Sequence, residues 1–187
     1  AENLAEAARK ASKKGPAPVH LWNPPFFGDL DMRIARDGTW FYQGTPINRV
    51  GLVKLFSSIL KKEDGQFFLV TPVEKVGITV EDAPFVAVEF TVVNPGQEQE
   101  LAFLTHVGDR TIAGPDAPIR VDRDPETAEP APYVRVRATL EALIDRKSFY
   151  RLVDIGETNR HDGVDWFGVR SKGVFFPIIP ADELDQD

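Results

Sequence analysis

Tyr133, Arg135 and Arg137 alternate with Val134 and Val136. Successive side chains of a strand point to opposite faces, so this spacing predicts a phenol and two guanidiniums on one face and two valines facing a core. A ring that can stack on a base, beside two forked donors that can hold a phosphate or carboxylate, suits a small anionic ligand. The same pattern fits a solvated strand face whose arginines pair with acids such as Glu141 or Asp145.

A second candidate is Thr71-Pro72-Val73-Glu74-Lys75, where a hydroxyl, a carboxylate and an ammonium fall within one short connection. Thr71, Glu74 and Lys75 can orient a polar ligand, or they can form a strand turn with a solvated ion pair of little energetic weight. Arg49 and Arg146, each beside or within a helical stretch, can add positive charge. Ser171-Lys172-Gly173 is a polar turn whose amides can face an oxyanion, although it lacks the glycine-rich run of a phosphate-binding loop. Trp40 and Tyr42 alternate with Phe41, which reads as packing. The enzymatic constellations mostly fail: there is no Gly-x-Ser-x-Gly elbow, no His-Glu-x-x-His and no dinucleotide fingerprint. His161, Asp162 and Asp165 have metal-ligand chemistry, but Asp162-Gly163 in a hydrophilic stretch is ordinary turn chemistry. His20 and His106 have no acid or nucleophile beside them in sequence. No cofactor and no metal is expected, and the expected protein is non-catalytic.

The elements that must position these groups begin with a hairpin. Residues 32–35 and 39–43 flank Asp37-Gly38, a strong turn signal. Leu52, Leu55, Phe56, Ile59 and Leu60 repeat at helical spacing, with Asn48 as a cap, Lys61 and Lys62 at the negative end and Gly65 beyond it. Strands are expected at 66–71 and 73–80, then at 85–93 and 100–106. Residues 115–132 read as a long loop with one extended piece at 119–121, and 133–137 as a strand. Thr139 to Lys147 reads as a helix with Leu140, Leu143 and Ile144 inward. Closing strands are expected at 149–155, 165–170 and 174–179, with a turn at 156–163.

Residues 37–49 and 108–120 echo one another: each has an Asp and a Gly, a short strand, a Gly, then Pro-Ile with an Arg close behind. That echo predicts an α+β fold of two similar lobes from an internal duplication, each an antiparallel sheet with one main helix. The expected division is a mobile N-terminal arm (1–19) in which residues 1–14 can form a short surface helix broken by Gly15-Pro16, an N-terminal lobe (20–84) and a C-terminal lobe (85–187). A seam between similar lobes is a favoured ligand site. The 187 residues carry a net charge of −7 and no cysteine. An acidic chain with dispersed cations argues against binding to duplex nucleic acid. Zero cysteine removes disulfides and thiolate chemistry and favours the cytoplasm. No apolar run is long enough for a membrane span, and the first residues are charged where a signal peptide would be apolar.

Several of these segments carry a family likeness: Gly44 through Arg49, the helical stretch Leu52 to Leu60, and Leu69-Val70-Thr71-Pro72-Val73-Glu74-Lys75 with Ile78 and Pro84-Phe85 after it. Later come Pro132 through Arg137, Arg146, Phe149-Tyr150 and Ser171 through Phe176. Over residues 20–180 the chain resembles a bacterial family catalogued as domain of unknown function 1285. The resemblance implies a duplicated α+β core, a C-terminal half shaped like a pleckstrin-homology domain, and no assigned activity. It also implies a nucleotide-like ligand between the halves and a role in signalling. The resulting expectation is a binding or sensing protein for a small anionic ligand. Its alternative is a protein-interaction adaptor using the C-terminal lobe. A hydrolase or transferase would require acids, a histidine and a hydroxyl from distant segments to converge.

Overall fold

Two-residue turns punctuate the chain at Gln43-Gly44, Asp64-Gly65, Asp162-Gly163 and Lys172-Gly173, and in each both residues have positive φ, between 50° and 80°. This is the turn whose twist matches that of the flanking strands, so each closes a hairpin. The computed structural model describes residues 2–13 and 15–184. The chain divides into two compact units, residues 1–84 and 85–187.

The first unit holds α1 (Glu2–Ala11), β1 (Phe26–Ile34), β2 (Trp40–Tyr42), β3 (Thr45–Pro46), α2 (Val50–Ser57), β4 (Leu60–Glu63), β5 (Gln66–Val70) and β6 (Lys75–Val80). Its sheet runs β3-β2-β1-β6-β5-β4, antiparallel except for the central pair β1 and β6. Met32, Ile34 and Trp40 are buried on one face, and Phe56 of α2 stacks on Trp40 at 6.2 Å between ring centroids.

The second unit holds β7 (Phe85–Val93), β8 (Glu100–Thr105), β9 (Arg110–Ile112), β10 (Ile119–Arg123), β11 (Pro130–Arg137), β12 (Leu140–Ile144), α3 (Arg146–Asp154), β13 (Glu157–His161), β14 (Val164–Ser171) and β15 (Val174–Pro180). Its larger sheet, taken from β9, runs β9-β8-β7-β12-β11-β10, again with a parallel central pair, β7 and β12. Adding six to each strand number of the first sheet reproduces this order. Both units therefore use one plan, a three-strand meander outward from the centre and a second one inward. This is the duplication in topological form. Phe85, Ala87, Val134 and Ala142 are buried on one face of this sheet, while β15 of a three-stranded sheet, β13-β14-β15, packs against β10 and β11.

The sequence echo itself was out of step by one strand. It matched β2 and β3 with β9 and β10, whereas the shared plan equates them with β8 and β9. The helices also differ in place. α2 joins β3 to β4, while the corresponding crossover from β9 to β10 is a loop held by the Gly114 amide on the Ala117 carbonyl at 3.0 Å.

Several elements depart from the sequence reading. α2 stops at Ser57, and Leu60 opens β4, whose Lys61 and Lys62 pair with β5 across the Asp64-Gly65 turn. Gly65 marks that hairpin and not a helix end, and Arg49, not Asn48, takes the cap position with no side-chain bond. Leu140, Ala142 and Ile144 are buried at period two, so residues 140–144 form a strand in the parallel pair where a helix was expected. The helix starts after them: Asp145 accepts a hydrogen bond from the Ser148 amide at 2.8 Å. Residues 149–155, expected as a strand, belong mainly to α3. Leu140, Leu143 and Ile144 satisfy both periodicities, and a short apolar run does not separate them. Residues 157–161, read as turn, are the edge strand β13. At the N-terminus, the short helix open to residues 1–14 is α1, and it differs from a free surface helix in that Leu4, Ala5 and Ala8 are buried and it packs on α2. Ala1 and Lys14 lie outside the described residues.

Candidate functional site

Strand β11 is flanked by β10 and β12. Its register sets Tyr133 opposite Arg120 on one side and Leu143 on the other, and sets Arg135 opposite Glu141. Arg120 lies across the strand. Its guanidinium carbon is 4.4 Å from the centre of the Tyr133 ring, and its Nε and Nη2 fork onto the Glu141 carboxylate at 2.8–3.0 Å. Asp122 adds an ion pair at 2.6 Å. The hydrogen bonds to Glu141, then those to Asp122, hold the Arg120 guanidinium even more firmly protonated than usual.

This strap leaves Arg135 without a counter-ion. Glu141, its neighbour in register, is already engaged by Arg120. The Arg135 Nε is shut off from solvent and has no hydrogen-bond partner, and no ion pair joins its guanidinium among the described residues. Arg135 as a whole is half-buried, and an Nε–H that loses its hydration without gaining a partner carries a cost.

Arg137 does not share the face of Tyr133 and Arg135. A bulge between Arg135 and Arg137 sets Arg137 opposite Leu140, the neighbour of Glu141 on the other side of β12. Arg137 sits 5.1 Å from the Phe85 ring centre and bonds the Asp109 carboxylate at 3.0 Å. Strict alternation predicted three side chains in a row, and one extra residue in the strand reverses the third.

Ser171 is buried at the end of β14, and its hydroxyl accepts from the Leu101 amide at 2.8 Å and donates to the Ala113 carbonyl at 2.7 Å. It fastens the small sheet to the large one and has no remaining proton for a ligand. Arg146 is the first residue of α3 and is exposed.

In the first unit, Thr71 is buried and its hydroxyl accepts from the Val73 and Glu74 amides at 3.3 and 3.1 Å, a turn closed on itself. Glu74 is half-buried. Lys75 reaches back across β5, its Nζ 4.7 Å from the Phe68 ring centre and 2.9 Å from the Glu63 carboxylate. Lys61 joins the same carboxylate at 3.1 Å and donates to the Trp22 carbonyl at 2.9 Å. Lys75, then Lys61, hold the Glu63 carboxyl below its ordinary value of 4.5. Arg49 is exposed at the start of α2. The candidates thus fall into two sets: Arg49, Thr71, Glu74 and Lys75 in one unit, and Tyr133, Arg135, Arg137, Arg146 and Ser171 in the other. Of the second set, only Tyr133 and Arg135 are neighbours on one strand face.

Sequence reasoning missed Arg120 and Glu63. The signal for Arg120 was its place in the extended piece 119–121, where it alternates with Val121 and shares a face with Asp122. His106 Nδ1 accepts from the Val86 amide at 3.2 Å, a strand-to-strand tie. Among the described residues no group of three His, Asp or Glu is placed to hold a metal, and no helix is long and apolar enough to cross a membrane.

Comparison with known proteins bears on the whole of this architecture. A family model described as domain of unknown function (DUF1285), N-terminal domain, matches residues 17–83, and one described as protein of unknown function (DUF1285), C-terminal domain, matches residues 84–178. The fold is similar to the crystal structure of a DUF1285 family protein from Silicibacter pomeroyi DSS-3, with 66% identity, 98% of each chain covered and a TM-score of 0.89. A DUF1285 family protein from Shewanella baltica OS155 is similar at 30% identity over 66% of this chain and 91% of that one, with a TM-score of 0.52. A search of curated proteins found no match. With both halves matched in order and a solved relative alike over nearly its whole length, the chain belongs to the DUF1285 family.

Proposed function

We propose that the protein is a non-catalytic binding or sensing protein for a small anionic ligand, nucleotide-like in class, with a role in signal transduction. The observation that carries this reading is Arg135, a guanidinium with a solvent-excluded Nε and no matching carboxylate, on the same strand face as Tyr133. A phosphate or carboxylate accepting from Arg135 supplies the missing charge and a forked hydrogen-bond partner together. Tyr133 already has Arg120 against its ring, so recognition rests on the anionic group of the ligand more than on base stacking. The reading takes the cytoplasm as the compartment, which a cysteine-free sequence suits. Occupancy reaches a protein partner by shifting the population of conformations that the partner distinguishes.

A thermal-shift panel of mono-, di- and cyclic nucleotides, inorganic pyrophosphate and small dicarboxylates tests this. A ligand at 100 times its Kd stabilises by about 2.7 kcal/mol, a rise of roughly 5 to 10 °C for a chain of this size. The expected result is a rise with phosphate-bearing compounds that Arg135→Ala abolishes. A rise of equal size in Arg135→Ala would remove the site, and no rise with any compound at millimolar concentration would remove the function.

A further inference from the structure

Helix α3 sets its charges against its own dipole. The positive end of a helix favours acids in the first turn, yet Arg146 and Lys147 occupy the first two positions and the first turn contains no acid. Only the capping Asp145 offsets them. Both cations are exposed, and neither has an ion-pair partner among the described residues, whereas Arg120, Arg123, Arg137, Arg160 and Arg170 of the same unit each have one.

The burial pattern turns these cations into a surface. Ser148 and Leu152 point inward, so Arg146, Lys147, Tyr150, Arg151 and Asp154 share the outward side. Tyr150 is 58% exposed, and Ile155 just past the helix is 38% exposed. Arg151 pins the helix: its Nη1 donates to the Phe90 carbonyl at 3.0 Å and its guanidinium lies 4.3 Å from the Phe90 ring centre. The helix is anchored at its middle, and its outward side carries three cations against one acid, Asp154, with an exposed aromatic between the charges. Tyrosine and arginine side chains of this kind are over-represented among residues that dominate protein interfaces.

We infer that the outward face of α3 docks an acidic segment of a partner protein, with Tyr150 as the apolar anchor and Arg146 and Lys147 meeting carboxylates. Charge selects this occupant. The cations span little more than one helical turn in a chain whose net charge is −7, so the chain as a whole repels a long polyanion while the α3 face attracts a short, locally acidic one. The cost of misplacing cations at the helix start is explained by what they bind.

Fluorescence anisotropy with a short fluorescein-labelled peptide of alternating glutamate and leucine tests this, with duplex DNA and phosphatidylserine vesicles as parallel arms. The wild-type chain is expected to bind the peptide in a salt-sensitive manner and to ignore DNA and vesicles. The double variant Arg146→Glu/Lys147→Glu should lose about tenfold or more in affinity, and Tyr150→Ala should weaken binding with little change in salt dependence. Because glutamate suits the first turn, the double variant should melt a few degrees higher while binding worse; a lower melting temperature would contradict the dipole argument. Arg135→Ala should bind the peptide as wild type does, and a loss there would move the peptide to Arg135 and overturn the α3 assignment. Failure of the wild type to bind, equal binding by the charge-reversed variant, or preference for DNA or vesicles would each overturn it as well.

Discussion

A carboxylate shared between two cations makes Glu63 the most informative single residue of the first unit. Its folded-state pKa is depressed by Lys75 and then Lys61. A depressed carboxyl contributes stability that is present above the unfolded-state pKa and is lost as pH falls through the folded-state value. Glu63→Gln is therefore expected to lower stability at neutral pH by about 0.5 to 1 kcal/mol, the range for partly exposed pairs. In urea titrations at several pH values, the gap between wild type and variant should close once both states of the wild-type carboxyl are protonated. A gap that persists unchanged in acid would show that packing, and not charge, is responsible. At the same scale, the sequence displayed Tyr133 and Arg135 as neighbours on one face because alternation is a local property of a strand. It placed Arg137 wrongly because a bulge depends on the partner strand, whose register no local pattern encodes.

At the scale of elements, close approach decides what a strand tolerates. Gly168 pairs with Pro177 at an irregularity between β14 and β15, and a Cβ added there would collide with the backbone carbonyl oxygen of Phe176 and crowd the Phe175 ring. Backbone cannot yield as a side-chain tip can, so Gly168→Ala is expected to destabilise by about 3 kcal/mol. A melting curve within a degree or two of wild type would show that β14 and β15 separate easily. Elements with a local signal were legible: the Asp37-Gly38 hairpin, strands 85–93 and 100–105, and the closing pair at 164–171 and 174–180. Residues 140–144 were not, because Leu140, Leu143 and Ile144 suit a helix as well as a strand, and only their place beside β7 in the sheet interior selects the strand. The β10 strand was legible only as the extended piece 119–121 within a Pro- and Asp-rich loop, and the reach of Arg120 to Tyr133 and Glu141 was not legible at all.

At the scale of the whole molecule, the shared plan lets the two units be compared strand for strand. In the first, a cation on β6, Lys75, crosses the β5 ring Phe68 to a carboxylate on β4, Glu63. In the second, a cation on β10, Arg120, crosses the β11 ring Tyr133 to a carboxylate on β12, Glu141. The strap spans equivalent strands, with the ends exchanged. The units differ in what remains: Lys61, the second cation of the first unit, is matched by Glu63 and the Trp22 carbonyl, whereas Arg135, the second cation of the other, is unmatched. The duplication was visible in the sequence as a repeat of turn and proline signals, although in a register one strand out of step, because turn chemistry recurs at every hairpin and does not identify which hairpin it closes. The contrast between Lys61 and Arg135 was not visible at all, since it depends on which carboxylate each cation reaches. The most direct test of the ligand reading is therefore made on the Arg135 Nε itself, by recording arginine Nε–H correlations in a ¹⁵N-labelled sample and assigning the Arg135 signal by its disappearance in Arg135→Lys. During titration with inorganic pyrophosphate and with adenosine monophosphate, that signal is expected to move saturably, while the Arg120 signal, held by Glu141, stays in place. An Arg135 signal that does not move with either compound at millimolar concentration would contradict the assignment of the site to a small anion.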